Sequence, residues 1–244
     1  MSAAQVAVIL NNKGVDHLDQ SRFGPAIASF TAALTNVKTM LVEDDGDSAM
    51  YPPAADETHS MDVEPASELA GSSADTLPPS LKGPCSVTPN MIQFDSCRRT
   101  VFSTPISIQN DGSSTLEAYN RFSFGIMFNL ALAHHLGGLN CHDQTREAKL
   151  QKALRLYEFA YSIQMQEDLS LQLVYTLGMM NNLGHIQDAL GDKEKSQQCY
   201  QHLLSTLMFV MEGQDSGCCS EEMELFLNNV THLVLRETDL APAA

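Results

Sequence analysis

Tryptophan is missing from this 244-residue chain, and lysine and arginine together number 14 against 30 acidic residues. The net charge of −16 argues against a nucleic-acid backbone or an anionic membrane as partner, since both are bound by clustered cations. No apolar run approaches the roughly 18–20 residues that span a bilayer. The six cysteines (Cys85, Cys97, Cys141, Cys199, Cys218 and Cys219) contain no CxxC pair, and no basic n-region followed by a long apolar core opens the chain. Reduced thiols and an intracellular setting, cytoplasmic or nuclear, are therefore expected. In that setting the sequon Asn229-Val230-Thr231 is idle. No Gly-rich phosphate loop follows a strand, and neither GxSxG nor HExxH occurs. The expectation is a protein that is not an enzyme and has no cofactor.

What is present leans toward helix. Hydrophobic residues make up 43% of the chain, with Leu, Met and Ala prominent among them. Residues 1–42 read as two helices. Val6, Leu10, Gly14, His17 and Leu18 share one face of the first. After the turn at "QSRFGP", Pro25 suits the first position of the second helix, whose apolar face is Ile27, Phe30, Ala33, Leu34 and Val37. Composition changes at Glu43. From there to residue 90 the chain is acidic, Pro/Ser/Ala-rich and poor in large apolar residues, so it is expected to be a disordered linker. Between Glu43 and Thr115, 12 acids face Lys82, Arg98 and Arg99, so this stretch carries more than half of the net charge. Residues 91–115 are β-branched and aromatic, and read as an extended arm or short hairpin packed on the helices. Helical periodicity returns over 116–236, with helices expected near 116–136, 145–165, 169–190, 193–212 and 220–236, followed by a tail at 237–244. The last helix starts at Ser220 with two glutamates suited to the helix dipole and presents Met223, Phe226, Leu227, Val230, Leu233 and Val234.

"NNLGHIQDALGDKEKSQQCY" (181–200) carries the most regular pattern. Gly184 lets a second helix, starting after Gly191-Asp192, approach closely; Ser196 and Tyr200 face it. The same arrangement recurs as Gly14 with Ala26, Phe30 and Ala33, and as Ala131 with Ala153, Tyr157 and Ala160. In this last copy ten extra residues are placed in the turn. Each copy also has Asn two positions before the small residue: Asn12, Asn129 and Asn182. The pattern resembles the tetratricopeptide repeat, a helix–turn–helix unit of about 34 residues. The resemblance covers roughly half the chain, and the bland alternative is a generic helical bundle.

The resemblance implies an all-α solenoid of antiparallel helix pairs with a C-terminal capping helix. It also implies a concave groove that holds a peptide or helix of another protein. Carried over by position, the groove residues are Asn11, Val15 and Leu18, then Phe128, Leu132 and His135, then Asn181, His185 and Asp188. The family subset that grips chaperone C-termini uses cations that these sites lack. A non-catalytic interaction adaptor is the resulting expectation. The alternatives are a self-assembling structural subunit and, remotely, a metal-dependent hydrolase built on His134, His135, Cys141 and His142. No metal site is expected from those four, because adjacent histidines on a helix point to different faces. In "RRTVFSTP", Ser103 and Thr104 (before Pro105) suit either a kinase substrate or a packed arm.

Overall fold

A computed structural model describes residues 1–44, 91–93, 99–109, 116–167, 173–213 and 223–231. Among these the fold is all-α apart from one small hairpin. Helices α1 (Ala3–Asp19) and α2 (Phe23–Asp44) are followed by strands β1 (Met91–Gln93) and β2 (Thr100–Phe102). Then come α3 (Leu116–Leu139), α4 (Thr145–Glu167), α5 (Leu173–Ala189) and α6 (Lys193–Gly213), and a further helix, α7, at 223–231. The expected disordered stretch lies outside the described residues, except that Glu43 and Asp44 complete α2. The expected tail at 237–244 lies outside them as well.

Short turns fold the helices into the pairs α1–α2, α3–α4 and α5–α6. Successive pairs meet through α2 on α3 and α4 on α5. A reciprocal capping box opens α1: Gln5 N–H donates to Ser2 Oγ (3.3 Å), and Ser2 N–H donates to the Gln5 side chain (3.1 Å). The α5–α6 turn needs a left-handed residue, and Gly191 supplies it at φ 88°; Asp192 N–H then closes on Gln187 O at 2.9 Å. The α1–α2 turn closes in the same way, Arg22 N–H to Gln187's counterpart His17 O at 2.8 Å, but there Ser21 takes the positive φ of 56°.

The small-on-large contacts between paired helices are present. A Cβ on Gly184 would sit 2.9 Å from the Tyr200 ring, and one on Gly14 would overlap the Phe30 ring. Ser196 Oγ donates to Gly184 O at 2.9 Å, tying α6 to the backbone of α5 at its closest approach. In the α3–α4 pair, Ala131, Ala153, Tyr157 and Ala160 are all fully buried.

Four details differ from expectation. The ten extra residues between Ala131 and Ala153 do not form a long turn. Helix α3 runs eight residues past Ala131 where α5 runs five past Gly184, and α4 has eight residues before Ala153 where α6 has three before Ser196. Most of the insertion therefore lengthens helices, which is favourable because each added residue keeps its backbone hydrogen bond. Helix α2 begins at Phe23, so Pro25 sits within its first turn rather than at its first position; its missing N–H is among those without an intrahelical partner anyway. The buried stripe of α1 is Ala7, Asn11, Gly14, Val15 and Leu18, with Val6 and Leu10 only half-buried on its flank. Finally, Tyr119–Leu139 is long and apolar enough to cross a membrane by length and mean hydropathy (1.2), but 94% of that window is buried. It is apolar all round because other elements cover it all round.

Gly184→Leu should lower stability by about 2–3 kcal/mol, because the Tyr200 ring is enclosed and cannot retreat. Ser21→Gly should raise it by roughly 0.5–1 kcal/mol by relieving the left-handed strain. Chemical unfolding midpoints of the two variants check both signs; unchanged midpoints would deny these contacts their energetic role.

Candidate functional site: an asparagine-lined groove

An extended segment in a helical protein raises an accounting problem. Its N–H and C=O groups have at most one strand beside them, and a buried group left unpaired costs roughly 1–3 kcal/mol. Residues Thr100–Ile108 form such a segment, which we call the strap. β2 is its first part and pairs antiparallel with β1 on one side, with Met91 opposite Phe102 and Gln93 opposite Thr100. The other side faces α1, α3, α5 and α7, the first helices of the pairs and the closing helix.

Asparagine side chains take the place of a second strand there. Thr100 N–H donates to Asn229 Oδ1 (2.8 Å), and Thr100 O accepts from Asn229 Nδ2 (2.8 Å) and Asn181 Nδ2 (3.0 Å). Phe102 N–H and O are both bound by the Asn182 amide at 2.9 and 2.8 Å. Asn129 does the same for Ile106 at 2.7 and 2.8 Å, with Asn11 Nδ2 adding a bond to Ile106 O at 3.0 Å. Asn12 completes the series on Ile108 at 3.1 and 3.0 Å. Asparagine suits this task because its amide carries a donor and an acceptor side by side, matching the N–H and C=O that one residue of an extended chain presents to the same side. The amides also hold one another: Asn129 Nδ2 donates to Asn11 Oδ1 (2.9 Å), Asn229 Nδ2 to Asn181 Oδ1, and Asn182 Nδ2 to the Tyr157 hydroxyl (3.0 Å).

The strap's side chains are placed as firmly at its N-terminal end. Phe102 is fully buried in an aromatic cage with ring centroids at 5.8 Å (Phe226), 5.9 Å (Tyr175) and 6.2 Å (Phe128). Gly178 forms the floor of this cage, and a Cβ there would overlap the Phe102 ring. Just before the strap, the Arg99 guanidinium lies 4.4 Å from the Tyr200 ring centroid and 3.6 Å from the Asp188 carboxylate.

The nine residues placed in the groove by resemblance thus fall into three groups. Asn11 and Asn181 bond the strap, Phe128 cages Phe102 and Asp188 holds Arg99. Val15, Leu18 and Leu132 are buried in the hydrophobic core. His135 and His185 meet each other, Nε2 to Nδ1 at 3.1 Å, rather than any main-chain group of the strap. The residues that do most of the gripping, Asn12, Asn129 and Asn182, recur in the sequence beside the small helix-contact positions. Asn229, the fourth, follows the same Asn-Asn pattern as Asn12 and Asn182 (228–229, 11–12, 181–182), which is the signal that marks it.

The His/Cys cluster is not assembled. Among the described residues no group of three or more His, Cys, Asp or Glu is placed to hold a metal. His135 turns toward α5 and His185, while the neighbouring His134 is held well below its usual pKa, at about 4, by burial and by Lys152 and Lys149. Burial also lowers His185 to about 4, with Asp188 opposing the shift and Arg99 and Arg146 adding to it. His135 is lowered by burial and by His185. The pair is therefore neutral, and one ring donates its proton to the other. His135 Nδ1 and His185 Nε2 are buried with no hydrogen-bond partner.

No family model matches this chain, and comparison with curated proteins and with solved structures finds no match either.

Asn182→Ala leaves both main-chain groups of the fully buried Phe102 unpaired and should cost about 2–4 kcal/mol; Asn12→Ala, at a side chain that is itself only half-buried, should cost less. Thermal unfolding ranks the two variants, and amide exchange at Phe102 should accelerate only in the first. Equal and small effects would mean the ladder adds little to stability.

The neutral histidine pair sets a pH dependence. Their folded pKa values are depressed, so the unfolded chain binds more protons between about pH 6.5 and 4. Stability is full above the unfolded value and is lost as pH falls through this window. From pH 7 to pH 5 the loss should be roughly 2 kcal/mol for His185 alone. Urea midpoints at the two pH values measure it, and replacing His135 and His185 together by Gln should reduce the slope to the part that His134 contributes.

Proposed function

We propose that this protein is a non-catalytic adaptor that holds an extended segment of another protein in the concave groove of a tetratricopeptide-like solenoid. Three successive helix pairs support the solenoid reading: in two a glycine is set against a partner ring (Gly14–Phe30 and Gly184–Tyr200), and in the third Ala131 and Tyr157 are both fully buried. One observation carries the functional reading: a row of asparagine amides grips the main chain of an extended peptide at Thr100, Phe102, Ile106 and Ile108. This is the geometry by which a groove takes a peptide of varied sequence, since main-chain bonds supply affinity whatever the side chains are. The strap of the chain itself is seated there, and a partner enters by replacing it.

A labelled peptide covering residues 98–109 tests this reading. It should bind a chain whose 100–108 segment is replaced by a Gly/Ser sequence, and Asn129→Ala with Asn182→Ala should abolish the binding. If the replaced chain loses helicity alone, its recovery on adding the peptide reads out the same event. Proteins captured by that chain from cells should be released by the peptide. Absence of peptide binding would overturn the groove reading, and capture indifferent to the peptide would move the partner to another surface.

A further inference from the structure

The asparagine ladder carries little sequence information, because its bonds to the strap end on main-chain N–H and C=O groups, apart from the Thr100 hydroxyl, which donates to Asn229 Oδ1 (3.3 Å). Discrimination among partners has to come from side chains, and the strap shows where that is possible. Val101 and Phe102 are driven in completely. Ser103, Thr104, Pro105 and Ile106 are only half-buried and Ser107 is exposed. Ile108, at the other end, is buried in the core, so side chains can be read there and, together with the Arg99 contact just before it, at the N-terminal end of the strap.

Two features at the N-terminal end are built around particular chemistry. Gly178 lies inside α5, away from any turn, where glycine costs a helix about 1 kcal/mol relative to alanine. Its hydrogen lets the Phe102 ring occupy space that any Cβ would fill. The surrounding Phe128, Tyr175 and Phe226 present aromatic edges and faces to that ring, which suit a flat ring better than a branched aliphatic chain. Three residues earlier, Asp188 and the Tyr200 face together receive a guanidinium, a planar cation that meets a carboxylate and stacks on a ring in one placement. The ladder in between holds the backbone extended, which fixes the distance between the two receptors.

Resting on the groove reading above, we propose that the groove selects an extended segment with an arginine three residues before a phenylalanine. The Phe102 pocket is the main specificity determinant, and Asp188 with Tyr200 is the second. The chain's own Arg99–Phe102 occupies both receptors and competes in cis, at the high effective concentration that covalent linkage gives. A weaker match would not displace it, so the same two receptors set both which partner binds and how well the resting chain resists.

Fluorescence anisotropy with labelled peptides covering residues 98–109 tests the proposal on the full-length chain carrying Phe102→Ala, whose pocket is vacated in cis. The unaltered peptide should bind this chain at least tenfold more tightly than it binds the wild-type chain. Alanine at the peptide's Phe102 position should weaken binding about 100-fold or more, and glutamate at its Arg99 position about tenfold. Alanine at its Ser107 position, which is exposed in the strap, should change binding less than threefold. If the Phe102→Ala chain melts below the assay temperature, the rise of its Tm on adding each peptide replaces anisotropy as the readout. Substituted peptides that all bind like the parent would overturn the specificity claim while leaving the groove reading in place. Failure of the parent peptide to bind would overturn both. A mixed dimer of wild-type and Phe102→Ala chains in sedimentation velocity, without peptide binding, would make a second copy the occupant and overturn the proposal.

Discussion

An extended backbone buried against helices must find hydrogen-bond partners that helices do not offer, because their own N–H and C=O groups are already paired. Much of this protein follows from how that requirement is met. Side-chain amides replace the missing strand, and each has to reach the strap from a helix set at the right spacing. Asn12, Asn129, Asn182 and Asn229 come from four different helices, and they meet alternate residues of the strap or multiples of that step. Alternation is required, since in an extended chain only every second residue presents its N–H and C=O to the same side.

The ladder in turn constrains the helices. Helices α1, α3 and α5 turn one side to the strap and another to their partners α2, α4 and α6, which pack closely on them. Glycine at two of the crossing points, opposed by Phe30 and Tyr200, provides the close approach. The strap then joins elements far apart in sequence: Asn11 to Ile106 across 95 residues and Asn229 to Thr100 across 129. It runs opposite to the order of the helix pairs, from the last helices back to α1, and so fastens the first pair to the rest. Phe102 contributes the apolar part of this fastening, meeting residues of α3, α5 and α7 at once.

The histidines illustrate a different outcome of burial. Four ligand-type residues within "HHLGGLNCHD" invite a metal reading, yet helix geometry separates His134 from His135, and the chain turns away before Cys141 and His142. His135 finds its partner fifty residues on, in His185. Two neutral rings that share one proton avoid burying a charge, which makes the pair a packing element of the α3–α5 contact that is sensitive to acid.

How much of this was legible beforehand depends on the range of the interaction. Helix positions, the close contact at Gly184 and the strand character of the segment after Met91 follow from local periodicity, small residues and β-branching, all of which act over a few residues. The recurrent asparagines were visible as a pattern, but not as a ladder. Their partners lie up to 129 residues away, and no local rule says that an amide on α7 faces Thr100. The burial of Val15, Leu18 and Leu132, and the pairing of His135 with His185, were likewise hidden in the groove assignment, since one helical face serves both a groove and a core. Sequence alone determined the helices and where they can approach closely, because those depend on backbone propensity and side-chain size. Only the tertiary structure decided that the groove is filled by the chain's own strap, because that depends on which distant main-chain groups would otherwise be buried without partners.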